Sequence, residues 1–235
     1  MPNSISSVIE YFFHEGKENV EECLRIAFEA AVLRDVRKLV IFTGVGEGPK
    51  IALEKFRSQE IYSQIEIIAV TFPCGQRFKA AEGSPIALEI SSADRRLFRE
   101  NNIPIVRAHL PFNPIAAHHK DHGVLGQDLS LIGNALSIFG GSMSLCVQAA
   151  LMACDAGEVE LGEHVIALTS DTAILVRTSP TERLLTDFIV REVLCKPMRL
   201  TVVKSEEKVG AAKGSVTIDA IPDAPQLEAP TSPDR

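Results

Sequence analysis

The stretch Ile41-Phe42-Thr43-Gly44-Val45-Gly46-Glu47-Gly48-Pro49 decides how this chain folds. Lys38 to Phe42, which overlaps its start, is rich in Leu, Val and Ile and has the composition of a buried strand. Three glycines follow within five residues, and then Ile51, Ala52, Leu53 and Phe56 recur at helical spacing. Pro49 suits a first helical turn, because its missing N–H would have no partner there. The stretch therefore predicts strand, glycine turn and helix N-terminus. Unpaired amides and the positive end of the helix dipole would face one point, which favours an anion such as phosphate. The pattern is neither G-x-G-x-x-G nor the P-loop, which needs Gly-Lys-Ser/Thr. The competing reading is a tight turn without a ligand, and Glu47 opposes an anion unless its side chain points away.

Working outward, residues 65–71 and 164–169 are nearly continuous in apolar residues, as parallel strands buried on both faces are. A further strand is expected at 103–108 and another at 173–177. The link Ser170-Asp171-Thr172 is too short for a parallel crossover, so 173–177 should run antiparallel to 164–169. Helices are expected at 19–31, from Pro49 to about 59, at 93–101, 129–139, 142–156 and 181–195. Asn19 with Glu22, and Ser179 with Glu182, have capping-box spacing. Residues 7–13 read as a strand or extended arm, and 76–90 is ambiguous. Alternating strands and helices predict a three-layer α/β/α sandwich with a mostly parallel sheet. Ligands bind such sheets where strand order reverses, at the carboxyl ends of the strands. Thr43, Gly44, Val45, Gly46, Glu47 and Gly48 should lie there, with Thr71, His109 and Thr169-Ser170-Asp171-Thr172 on the same rim.

The 235 residues suffice for one large domain or two small ones, and residues 1–197 read as the α/β domain. Residues 198–235, rich in proline and acidic side chains towards the end, read as a C-terminal arm and flexible tail. The net charge of −7 argues against a nucleic-acid partner. Five widely spaced cysteines without C-x-x-C suggest reduced thiols, hence a cytoplasmic protein, and no signal peptide is indicated. No charge occurs between 129 and 154, yet Ser130, Gly133, Asn134 and Gly140-Gly141 interrupt that run; a buried helix pair is expected, not a membrane span. That pair is more apolar than one sheet face needs, which suggests a homo-oligomer, most simply a dimer.

The order of motifs resembles the pyruvate kinase C-terminal-domain-like family, in its free-standing prokaryotic form. The matching features are Gly16-Lys17-Glu18-Asn19, the Thr43-Gly44 turn and Ala108-His109-Leu110. The most specific are Leu151-Met152-Ala153-Cys154-Asp155-Ala156-Gly157 and Gly162-Glu163-His164-Val165-Ile166-Ala167. The resemblance covers about residues 8–197. It implies a five-stranded sheet of order 3-2-1-4-5 with strand 5 antiparallel. It also implies a phosphorylated ligand, FMN being possible, held by the Thr43 hydroxyl and the amides of residues 44–48. The chain departs from the family pattern after the fourth strand, where Thr169-Ser170 stand in place of a Gly/Arg-rich loop; arginine contacts are lost with it.

Two other chemistries compete. A flavin-dependent oxidoreductase would use the same site. A metal-assisted hydrolase could use His118, His119 and His122, since imidazoles with Asp121 suit a divalent ion. Cys74, on the ligand rim, has no evident base partner and reads as a small apolar filler.

Overall fold

The computed structural model describes residues 7–79, 85–113 and 125–198. In chain order the elements are β1 (Glu10–Phe12), α1 (Val20–Leu33), β2 (Lys38–Phe42), α2 (Glu47–Ile51), β3 (Glu66–Thr71), β4 (Arg77–Lys79) and β5 (Pro85–Ala87). There follow α3 (Ser92–Glu100), β6 (Ile105–Arg107), α4 (Leu125–Ser137), α5 (Met143–Asp155), β7 (His164–Leu168), β8 (Ala173–Arg177), α6 (Leu184–Asp187) and β9 (Ile189–Pro197). The helix begun by α2 continues in wider π-type winding over Ala52–Arg57.

Seven strands form the main sheet, in the order β1-β9-β8-β7-β2-β3-β6, and β4-β5 is a separate hairpin. β7, β2, β3 and β6 pair in parallel, whereas β8 is antiparallel to both of its neighbours. Leu39 lies across from Ile67 and Ile166, and Ile41 from Ala69 and Leu168. Successive side chains on a strand point to opposite faces, and here both faces are covered. Leu39, Ile41, Ile67, Ala69, Ile166 and Leu168 pack with Leu24, Ala27, Phe28, Phe56 and Phe98 of the helices on one side. Val40, Phe42, Ile68, Val70, Val165 and Ala167 pack with Val147, Ala150 and Leu151 of α5 on the other. Phe28 stacks on Phe56 at 5.1 Å between ring centroids, which locks α1 to the second helix.

The sheet is wider than the five strands expected. Residues 181–195 were the expected helix; helical winding stops at Asp187 and the chain becomes β9. Ile189, Val190 and Val193 are β-branched and stiff at χ1, which favours a strand, and β8 would otherwise expose an unpaired edge. β9 supplies its hydrogen bonds, and β1 pairs in parallel with the end of β9. Both expected capping boxes are absent as well. Asn19 donates from Nδ2 to the His14 carbonyl, and Ser179 donates to the Pro180 carbonyl. Ser91, by contrast, caps α3 by accepting the Asp94 N–H at 3.0 Å. The ambiguous stretch at 76–90 contains the β4-β5 hairpin. No helix among the described residues is long and apolar enough to cross a membrane.

The new strand is tied to the end of α1 by Arg34, its C-cap, whose guanidinium donates to both oxygens of Glu192. That hydrogen bond holds the Glu192 carboxyl below the usual carboxylate range. The depressed folded-state pKa contributes stability above the unfolded value, and the contribution is lost as pH falls through the folded value. The pair is partly solvent-screened, so Arg34→Met should cost no more than about 1 kcal/mol at pH 7. Urea denaturation should show the gap between variant and parent narrowing as pH falls below the usual carboxylate range.

Candidate functional site

β2 sits between β3 and β7. The chain leaves β2 through α2 on one face, towards β3, and returns to β7 from α5 on the other face. The ends of β2 and β7 therefore diverge, and the space between them is the switch point of the sheet. A cavity of about 290 Å³ opens there. Seven of the residues expected at the site line it: Thr43, Gly44, Val45, Glu47, Gly48, Thr169 and Ser170.

The β2–α2 turn is built as follows. The Thr43 N–H extends the ladder to the Val70 carbonyl at 2.8 Å. Thr43 Oγ1 then accepts the Gly46 N–H at 2.9 Å and so closes the turn on itself. Gly46 has φ +94°, which a side-chain-bearing residue adopts only under strain. Its carbonyl accepts the Lys50 N–H and starts the helix. Among the described residues the amides of Gly44, Val45, Glu47 and Gly48 have no backbone partner outside the helix, and no side chain caps α2. Four N–H donors are thus without a partner in residues that line the cavity.

The hydroxyl-bearing residues Thr43, Ser142, Thr169 and Ser170 line the hollow, and Val20, Leu24, Phe42, Phe72, Leu88 and Leu145 give it apolar walls. Among the described residues that line it, Glu47 is the one charged side chain, and none is a lysine or arginine. Leu88 presses on the turn: a Cβ at Gly44 would stand 3.1 Å from its Cδ1. The neighbouring Glu89 accepts from Arg107 at 2.7 Å, Arg95 at 3.2 Å and the Gly75 N–H at 3.3 Å. Arg107 above all holds the Glu89 carboxyl below its ordinary range, so this anchor stays charged in mild acid.

The remaining expected residues lie elsewhere. Gly46 shapes the turn without lining the cavity. Thr71 is buried at the end of β3. His109 is exposed and its Nε2 meets the Asn113 carbonyl at 2.7 Å. Asp171 and Thr172 are buried and brace the frame. Asp171 accepts the Gly16 N–H at 3.1 Å and the Thr172 hydroxyl at 3.0 Å. Thr172 Oγ1 in turn accepts the Ser142 N–H at 3.0 Å. This pair fixes Ser142, which sequence reasoning did not place at the site. Its available signal was Gly140-Gly141: Gly141 has φ +58°, and a Cβ there would lie 2.4 Å from Thr172 Oγ1. Cys74 is exposed, not packed as a filler. His118, His119 and His122 lie outside the described residues.

No protein-family model matches the chain. Among solved structures, the crystal structure of Cryptosporidium parvum pyruvate kinase is similar over 68% of this chain, with 16% identity and a TM-score of 0.31. The chain spans 22% of the length of that protein. Agreement of that size is compatible with a distant pyruvate kinase-like α/β fold and carries no argument about function.

Thr172→Val keeps the shape at that position but strands the Ser142 amide and removes a donor to Asp171. It should lower stability by about 1–3 kcal/mol in urea denaturation.

Proposed function

We propose that this chain is a small-molecule-binding protein that takes a phosphorylated ligand in the hollow between β2 and β7. The observation that carries the reading is the placement of the Gly44, Val45, Glu47 and Gly48 amides, without partners, on a cavity at the switch point of the sheet. The phosphate would lie against those amides and the Thr43 hydroxyl, with Thr169 and Ser170 opposite.

The lining restricts the ligand further. With no arginine or lysine among the described lining residues, and with Glu47 beside the turn, the site suits a single phosphate monoester over a di- or polyphosphate. A volume of about 290 Å³ stands at the small end of ligand pockets, roughly 300–1,000 Å³. The apolar walls accept a short aromatic or aliphatic body. FMN, the ligand implied by the family resemblance, would place its phosphate at the turn and its ring along Phe42, Phe72 and Leu88 towards the open side. Self-association belongs to the same proposal: Leu131, Ile138 and Phe139 on and after α4 are exposed.

Native mass spectrometry of the purified protein weighs any retained ligand and counts subunits together. Added phenyl phosphate and FMN should each raise the melting temperature in a dose-dependent way. Thr43→Glu, which plants a carboxylate at the phosphate position, should weaken binding at least about tenfold, or 1.4 kcal/mol. No retained mass and no thermal shift with either compound would end the ligand reading.

A further inference from the structure

Behind the cavity wall, two cysteines far apart in sequence touch. Cys23 of α1 and Cys195 of β9 are separated by 172 residues, and their sulfurs stand 3.5 Å apart. Both side chains are fully buried. Cys146, the third thiol nearby, is occupied differently: it donates to the Thr172 carbonyl at 3.4 Å. Cys154 is separate, and Cys74 is exposed on the far rim.

We infer that Cys23 and Cys195 are a reversible redox pair which, on two-electron oxidation by a hydroperoxide, forms a disulfide that staples α1 to β9. Closing the bond shortens the sulfur separation from 3.5 Å to the ~2.0 Å of a disulfide. A small rotation of the two side chains would have to supply this movement. The chemistry balances with hydrogen peroxide as oxidant. One thiolate attacks a peroxide oxygen, the O–O bond breaks, water leaves and a sulfenic acid remains. The second thiol attacks that sulfur, the S–O bond breaks, a second water leaves and the S–S bond forms. Two thiols lose two electrons and two protons in all, and one peroxide gives two waters. A dithiol reverses the step by exchange.

The surroundings set the rate. Contact with Cys195, and then burial, raise the Cys23 thiol above its ordinary range, and burial does the same to Cys146. Cys146 and the carboxylate of Asp171 are the other titratable groups acting on Cys23. The thiolate is therefore scarce at neutral pH, so oxidation is slow and accelerates as pH rises. The pair would respond to sustained oxidation and would not act as a fast sensor. Leu24, next to Cys23, lines the cavity, so the staple would also stiffen that wall. This inference is independent of the ligand reading.

The test uses the full chain carrying Cys74→Ser, which removes the exposed thiol. Folded protein is incubated with hydrogen peroxide at pH 7 and pH 8.5, alkylated, and digested without reductant. A Cys23–Cys195 cross-linked peptide is expected, forming faster at pH 8.5. The long closed loop should raise the melting temperature by about 5–10 °C, and dithiothreitol should restore the original value. Adding Cys195→Ala should abolish both link and shift; Cys23→Ser serves the same purpose if that variant does not fold. Both thiols still free after prolonged oxidation of folded protein, or a link through Cys146, would overturn the inference.

Discussion

A strand in the middle of a sheet covered on both faces cannot keep its hydrogen bonds once it ends. At Phe42 the chain must leave the layer, enter a helix on one face, and give up ladder partners within a few residues. Thr43 retains one by bonding to Val70. Gly46 finds another in the Thr43 hydroxyl. The N–H groups of Gly44, Val45, Glu47 and Gly48 have neither among the described residues, and all four residues line the hollow between β2 and β7. The rest of the molecule makes that situation permanent. Alternating apolar side chains of β2, β3 and β7 hold the strand between two helical layers, so the turn cannot relax by sinking into the sheet.

A second set of contacts keeps the hollow from collapsing. The buried Asp171–Thr172 pair joins the Gly16 strap, the β7–β8 turn and the start of α5. Gly141 allows that approach because it has no Cβ. On the opposite side Glu89, gripped by Arg107 and Arg95, holds Leu88 against Gly44. Neither group need touch a ligand. They keep opposite walls apart while the polar edge of the sheet remains open between them.

Much of the central frame was legible in the sequence because it depends on local chemistry. Continuous apolar runs marked β2, β3 and β7 as strands buried on both faces, and the glycine turn marked the start of α2. The short link Ser170-Asp171-Thr172 marked β8 as antiparallel to β7. The far edge was not legible. Residues 181–195 carry apolar side chains at spacings a helix also accepts, and the choice of strand depends on the open edge of β8, which lies distant in the chain. In the Asn19 and Ser179 motifs each side chain donates to a local carbonyl and does not accept from the helix amide. Thr43, Thr169 and Ser170 were readable as rim residues because strand ends predict them. Ser142 and Leu88 were not, since tertiary contacts through Thr172 and Glu89 bring them to the cavity. Asp171 and Thr172 were placed on the rim correctly as to strand, but their hydrogen bonds turn them inward.

The central claim is that amide hydrogens released at the end of β2 receive an anion. The most direct measurement is a ¹H–¹⁵N NMR titration of the uniformly labelled protein with phenyl phosphate. The account predicts large downfield amide shifts at Gly44, Val45, Glu47 and Gly48, with smaller changes at Thr43 and Gly46, whose N–H groups are already engaged. Shifts spread over other surfaces, or none at the turn at saturating ligand, would contradict it.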